Sequence, residues 1–392
     1  MLEPIATMDR MLKVLAASAA GVVCLAGCTT SIGPSTSSPS GVPASNSPAA
    51  SVRARMVTLM GEHTYVVAKL AIAAAAGRKD EYTSYAGLLA TNSDDIANVF
   101  GRAVGQGQGA KFGKTWLLGD SFFVDYMVAV TTRQQGLANA ALENINRKYV
   151  PQMAQDMSSP LNISTNTANR LVTDQAAATK QLIDDIASGT PAAFYPDARA
   201  AYAKAAAMGG AVAEAIAWKF PDKYPGDVSG SGAKMRAQLD SLLQEHAYLL
   251  SMATDAAATG ATAATGAAVI ALHASTQDLS HLIAEIFGAS AGAQAGPLWN
   301  DEDTSFVAYA KAADDASKAT ALHALNQTST PALMTFLNGL HVTADVASVT
   351  QQTIGVIDDQ RAKSYGVVAA EDRQSAALLV SVGDLMMGAG AA

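Results

Sequence analysis

Leu59-Met60-Gly61-Glu62-His63-Thr64-Tyr65 returns as Leu242-Leu243-Gln244-Glu245-His246-Ala247-Tyr248, an offset of 183 residues. The same offset, without a gap, sets Gly77 against Gly260, Asp95 against Asp278 and Gly105 against Gly288. It also sets Trp116 against Trp299, Asp120 against Asp303, and Phe123, Val124 and Tyr126 against Phe306, Val307 and Tyr309. Residues 59–129 and 242–312 are identical at 20 of 71 positions. Alanine supplies some of these by chance, but rare Trp, His, Tyr and Phe align far less readily. The chain reads as a duplicated unit.

Within the quoted stretch the period is helical. Met56, Leu59, Met60, His63, Val66, Val67, Leu70 and Ala74 recur at i, i+3, i+4 and i+7 spacing. Gly77 stops this helix. A second runs to about Val104 with Leu89, Asn92, Ile96, Val99, Phe100 and Ala103 inward, and Gly105-Gln106-Gly107-Gln108-Gly109 reads as the turn after it. A third carries Trp116, Phe123 and Tyr126. Further helices are expected at 136–156, where Ser159-Pro160 breaks the pattern, and at 165–188 and 192–219. Gly189-Thr190-Pro191 between the last two is a stop, a cap and a first-turn proline. Ile183-Asp184-Asp185 and Arg199 match Ile357-Asp358-Asp359 and Arg373 at offset 174, so the second copy lacks nine residues between about 130 and 180 of the first. An alanine-rich chain with 49% hydrophobic and 15% charged residues suits packed helices better than strands. The expected class is all-α: two homologous bundles of four to six helices each.

The N-terminus is of another kind. Arg10 and Lys13 precede an apolar run from Val14 to Cys24, which ends in Leu25-Ala26-Gly27-Cys28. Charge, short apolar run and small residues make a secretory signal, too short for an ordinary spanning helix. Met8 or Met11 would serve as its start as well as Met1. Thr29 to about Ala50 is Ser, Pro, Thr, Gly and Ala with no charge and almost no large apolar side chain, which cannot bury enough surface to fold. The expected organisation is a signal at 1–27, Cys28 and a tether at 28–51, a first half at 52–220, a breaker-rich linker at 221–232 and a second half at 233–392. No cysteine follows Cys28, so disulfides, thiolate metal sites and thiol nucleophiles are excluded from the body. Net charge is −8, and Glu3 and Asp9 cancel Arg10 and Lys13. An acidic chain without basic runs is a poor match for nucleic acid.

Leu25-Ala26-Gly27-Cys28 resembles the lipobox of bacterial lipoproteins. The resemblance implies cleavage before Cys28, diacylglyceryl attachment to it, and a protein lipid-anchored in the cell membrane on the extracytoplasmic side. In the body, Glu62-His63, then Leu88-Leu89, Asn92, Asp95-Ile96, then Trp116 and Phe123-Val124-Asp125-Tyr126 resemble a bacterial family of duplicated helical-bundle proteins with no assigned activity. That family's pattern places a second histidine three residues after the Trp. Here those positions are Gly119 and Glu302.

His63 and His246 interrupt apolar stripes and should point into a core, where an unpaired polar group is costly. The candidate ligand-binding set is His63, Asn92, Asp95 and Trp116 with His246, Asp278 and Trp299. Either these histidines are satisfied core residues that fix helix register, or they hold a transition metal or small polar ligand. A di-iron centre needs Glu-x-x-His motifs. None occurs, and the adjacent Glu62 and His63 splay about 100° apart on a helix. His273, Gln277, His281 and Glu285 form an i, i+4, i+8, i+12 row with His281 and Glu285 pointing away from the core face and His273 at its edge, either a solvated face or a surface zinc or copper site. No phosphate loop is present, and the Gly-x-Ser-x-Gly spacing at Gly288-Ala289-Ser290-Ala291-Gly292 follows a helical stretch, not the strand that a nucleophile turn needs. The expectation is a non-enzymatic, cofactor-free body that binds an envelope protein or small ligand. The rival is a ferritin-like metal-handling bundle using His63 and His246.

Overall fold

The structure is a computed structural model that describes residues 44–390. Those residues are all-α, with fourteen α-helices and no strand among them. The chain opens with a 3₁₀ turn at Ala44–Asn46 and continues in α1 (Pro48–Ala75), α2 (Lys79–Val104), α3 (Gln106–Thr131), α4 (Gln135–Asn144) and α5 (Val150–Leu161). Then come α6 (Thr165–Ser188), α7 (Pro191–Lys219), α8 (Ser231–Ala258), α9 (Thr262–Phe287) and α10 (Ala289–Lys311). The last are α11 (Asp315–Ala324), α12 (Thr330–Gly339), α13 (Val346–Ala362) and α14 (Tyr365–Gly390). One-turn π segments, Ile145–Tyr149 and Leu325–Ser329, join α4 to α5 and α11 to α12. The signal segment and Cys28 lie outside the described residues.

The boundaries keep the spacing seen in the sequence. Helices α8 and α9 begin and end 183 residues after α1 and α2, α11 follows α4 by 180, and α14 begins 174 after α7. Three residues are thus dropped where α10 ends early, and six around the α12–α13 connection. Gly105 and Gly288 occupy matching turns at φ 104° and 94°, which an L side chain rarely adopts.

Several boundaries differ from expectation, each for a local reason. Helix α1 starts at Pro48, not Val52, because the Ser47 hydroxyl accepts from Ala50 N–H at 3.1 Å and Pro48 fits the first turn. Residues 44–51, expected in the tether, thus belong to the folded body, and Ala49 and Ala50 are buried. The linker likewise yields its last two residues to α8. Pro160 lies in the final turn of α5 without breaking it. The glycines after Gly105 belong to the first turns of α3. A Cβ on Gly109 would come within 2.4 Å of the Gly101 Cα, so these glycines let α2 and α3 approach closely.

Pro43–Ala392 forms one compact unit rather than two separate bundles. Its axis is the pair α1 and α8, the helices that carry the two quoted stretches. Neither has a solvent face over most of its length: 21 of the 28 residues of α1 are buried. Helix α1 packs against α2, α7 and α8; α8 packs against α9, α14 and α1. Helices are also exchanged across the centre, with α7 on α9 and α14 on α2. One core cluster accordingly draws on both parts, from Tyr65 and Tyr202 to Leu249 and Phe306. Helices α1 and α7 also approach closely at Gly209, where a Cβ would lie 2.5 Å from the Met56 carbonyl oxygen.

Candidate functional site

His63 is buried and its Nε2 lies 2.8 Å from Asp120 Oδ1, while the Ser93 hydroxyl donates to Asp120 Oδ2 at 2.6 Å. His246 repeats this with Asp303 Oδ1 at 3.0 Å and Thr276 donating to Oδ2 at 3.4 Å. In both, an acid from the third helix of the set holds the imidazole of the first. Trp116 stands edge-on to His63, with ring centroids 5.2 Å apart. His63 and Trp116 thus meet as the spacing suggests, and Trp299 is buried as well. The other expected members go elsewhere. Asn92 donates to Glu62 Oε2 at 2.8 Å and to Leu59 O at 3.0 Å. Asp95 pairs with Arg373, and Asp278 accepts from Arg199 at 2.7 Å. Sequence reasoning passed over Asp120 and Asp303 as partners, although each recurs four residues after its Trp, one helical turn away. Among the described residues no group of three or more His, Cys, Asp or Glu is placed to hold a metal ion.

The departure from the family pattern has a steric counterpart. A Cβ on Gly119 would lie 2.4 Å from the Tyr149 ring, so that ring fills the space a side chain there would use. In the second set Glu302 stands at the Gly119 position and Ser329 at the Tyr149 position. Glu302 Oε1 accepts from Thr330 at 3.1 Å and Thr350 at 3.2 Å. Large with small is swapped for small with large. Gly119→His alone should therefore lower Tm by about 2–4 °C, through overpacking of roughly 1–3 kcal/mol. Adding Tyr149→Ser should recover much of the loss. Equal Tm values for the single and double variants in thermal unfolding would sink this account.

At the centre the contacts are reciprocal. Tyr65 donates to Glu245 at 3.3 Å, and Tyr248 donates to Glu62 at 3.1 Å. Arg199 reaches Glu245 at 3.1 Å, and Arg373 reaches Glu62 at 3.3 Å. Tyr65 and Tyr248 stack on each other, centroids 5.6 Å apart and 5° from parallel. Residue i meeting j while the counterpart of j meets the counterpart of i is the signature of a two-fold interface.

One buried cluster has no counterpart. Lys69 Nζ donates to Asp372 Oδ2 and Ser251 Oγ, both at 2.6 Å, and Ser251 donates to Asp372 Oδ1 at 2.6 Å. Tyr85 also donates to Asp372, and Gln360 donates to Ser251 O at 3.0 Å. Lys69 and Asp372 are each only 2% exposed. The positions equivalent to Lys69, Tyr85, Ser251, Gln360 and Asp372 are Met252, Ala268, Ala68, Ile186 and Ala198, all apolar.

Beside this cluster a cleft of about 440 Å³ opens between the C-terminal ends of α1 and α8, the α6–α7 turn and the start of α9. Its walls include Lys69, Ile72, Ile186, Phe194, Met252 and Asp185. Asp185 is 6% exposed. Its Oδ1 accepts from Gln181 at 3.0 Å, and the Asp197 carboxyl lies within hydrogen-bond reach. Burial, then the facing Asp197 carboxyl, raise its pKa. The volume lies in the range of small-molecule sites. No known protein-family model matches the chain, and neither does any curated protein or solved structure.

Proposed function

We propose that this is a lipoprotein anchored through Cys28 on the extracytoplasmic side of the cell membrane. Its body arose by internal duplication and binds a small ligand or an envelope partner without catalysing a reaction. The lipobox Leu25-Ala26-Gly27-Cys28 carries the placement. The constant helix offsets and the reciprocal Tyr–Glu and Arg–Glu contacts support the duplication, and the 440 Å³ cleft supports binding. No described helix is long and apolar enough to cross a membrane, so attachment rests on the lipid.

The point where the tether joins the body fits a membrane surface. Ala49 N–H donates to Pro225 O at 3.2 Å, and Ala49 packs with Ala217 and Val228. Beside them Trp218 is 69% exposed, and Lys219 and Lys223 lie over the rings of Phe220 and Tyr224. Aromatic rings with basic groups suit the headgroup region, even on a chain of net charge −8. Sixteen residue steps separate Cys28 from Ala44, a reach of at most about 55 Å.

Mass spectrometry of the mature protein should find a diacylglyceryl group on an N-terminal Cys28, and Cys28→Ser should abolish it. Trp116 and Trp299 are each 2% exposed, so Trp218 is the one indole open to lipid. In vesicles of brominated anionic phospholipid its emission should be quenched, and less so after Lys219→Glu with Lys223→Glu. An unmodified Cys28 would refute the anchor. A lipidated protein with unquenched Trp218 would refute only the seating.

A further inference from the structure

The cleft exists on one side of the molecule only. At the equivalent place on the other side, three residues fill the space. Arg78 forms a bidentate pair with Asp255, both bonds 2.9 Å, and its Nε lies 2.5 Å from Glu81 Oε2. Its guanidinium also covers the Tyr365 ring, 4.8 Å from the centroid. The counterparts of Arg78, Glu81 and Tyr365 are Ala261, Ala264 and Pro191. All three line the cleft. The cavity is the room left where a large polar plug is replaced by three small residues. Loose packing does not explain it, because substitutions at all three plug positions coincide at one place and the helices themselves stay in register.

The charges left in the walls define what fits. Lys69 is neutralised by Asp372, and Arg78 by Asp255 and Glu81. Asp185 has no cation among the described residues, and its neighbour Asp197 is a second acid. The same carboxyl pair recurs as Asp359 and Glu371, but only Asp185 faces an open cleft. Two facing carboxyls without a cation favour a bound positive charge. Most of the remaining wall is apolar, with Ile72, Ile186, Phe194 and Met252, and Thr190, Tyr195 and Thr259 add hydroxyls to it.

We propose that the cleft binds a small organic amine, its ammonium against Asp185 and its apolar body on Ile72, Ile186, Phe194 and Met252. This deepens the small-ligand reading above and rests on it. Anions are disfavoured by Asp185 and Asp197. A purely apolar ligand would leave the Asp185 and Asp197 carboxyls without a cation.

The test uses the mature chain from residue 28 with Cys28→Ser, and isothermal titration with three probes of one shape: 4-phenylbutylamine, 4-phenylbutanol and 4-phenylbutanoate. The amine should bind about tenfold more tightly than the alcohol, and the carboxylate most weakly. Asp185→Asn should bring the amine down to the level of the alcohol. Ala264→Trp, which puts bulk back at a plug position, should abolish binding of all three while circular dichroism shows the fold retained. If Ala264→Trp does not fold, Ala261→Phe serves the same purpose. Alcohol or carboxylate binding as tightly as the amine, and blocked by Ala264→Trp, would overturn the amine while leaving a ligand cleft in place. No binding of any probe in the millimolar range would overturn the cleft as a small-molecule site and the small-ligand reading together.

Discussion

Asp372→Ala is expected to be among the most damaging single substitutions in the body. It removes the carboxylate that accepts from Lys69, Ser251 and Tyr85. The Lys69 ammonium, 2% exposed, then has only the Ser251 hydroxyl left. Breaking one partner out of a buried ion pair costs roughly 3–5 kcal/mol, because an uncompensated charge stays in low dielectric. For a body of this size that corresponds to a fall in Tm of about 4–7 °C. The other side of the molecule supplies the repair, since it holds Met252 and Ala198 at the positions of Lys69 and Asp372. Lys69→Met with Tyr85→Phe and Asp372→Ala removes charge and hydroxyl together. The triple variant should recover to within about 2 kcal/mol of the parent, as apolar replacement of buried pairs generally allows. Chemical denaturation of the single and triple variants checks both halves of this expectation. An Asp372→Ala cost under about 1 kcal/mol would show that water reaches Lys69 and that the cluster is not closed.

That cluster also marks where sequence reasoning stopped. The helices, their glycine stops and the 183-to-174 drift in offset were legible because they rest on local signals repeated twice along the chain. Lys69 was not. A lone lysine in an apolar run reads as a solvent position, since lysine is rarely buried unless paired. Its partner lies 303 residues away, beyond any periodicity. The amphipathic face assigned to α1 was correct for Leu59, His63 and Leu70, yet incomplete. Thr64, Lys69 and Ala71, off that face, are buried too, because α2, α7 and α8 surround the helix. The histidine acids show the same limit. Asp120 was visible as a repeated residue, but a helix packing angle decides whether Asp95 or Asp120 meets His63, and composition carries no angle. The cleft was the least legible feature. It follows from comparing the two copies at Arg78, Glu81 and Tyr365, where they differ, whereas the duplication drew attention to positions where they agree.

Stability should fall as pH rises from about 5.5 to 8.5. Besides Glu81, which burial and then Asp255 push up to about 7, three carboxyls are held protonated by their surroundings well above the ordinary range. Burial, and then Asp384, push Asp240 up to about 8. Burial and the adjacent Asp303 push Glu302 up to about 7. Burial and Asp359 push Glu371 up to about 7, although its partial exposure weakens that contribution. In the unfolded chain all three titrate near 4. Between that value and 7–8 the folded state therefore binds more protons than the unfolded one, and the free energy of unfolding decreases with pH. His246 acts in the same direction. Although burial opposes it, the Asp303 pair raises its pKa, so its contribution is full below the unfolded value near 6.5 and is lost as pH rises through the folded one. Each tenfold difference in proton affinity is worth about 1.4 kcal/mol. Discounted for relaxation and for Glu371, the combined effect is a Tm lower at pH 8.5 than at pH 5.5 by on the order of 10 °C. Asp240→Asn with Glu302→Gln should flatten roughly half of that slope, since the amides keep their shape without a proton to lose. Thermal unfolding at constant ionic strength across this range is the check. A Tm that is level or rises toward pH 8.5 would mean that these carboxyls are solvated in the folded state, and with that the burial of Glu302 beneath Thr330 and Thr350 would have to be wrong.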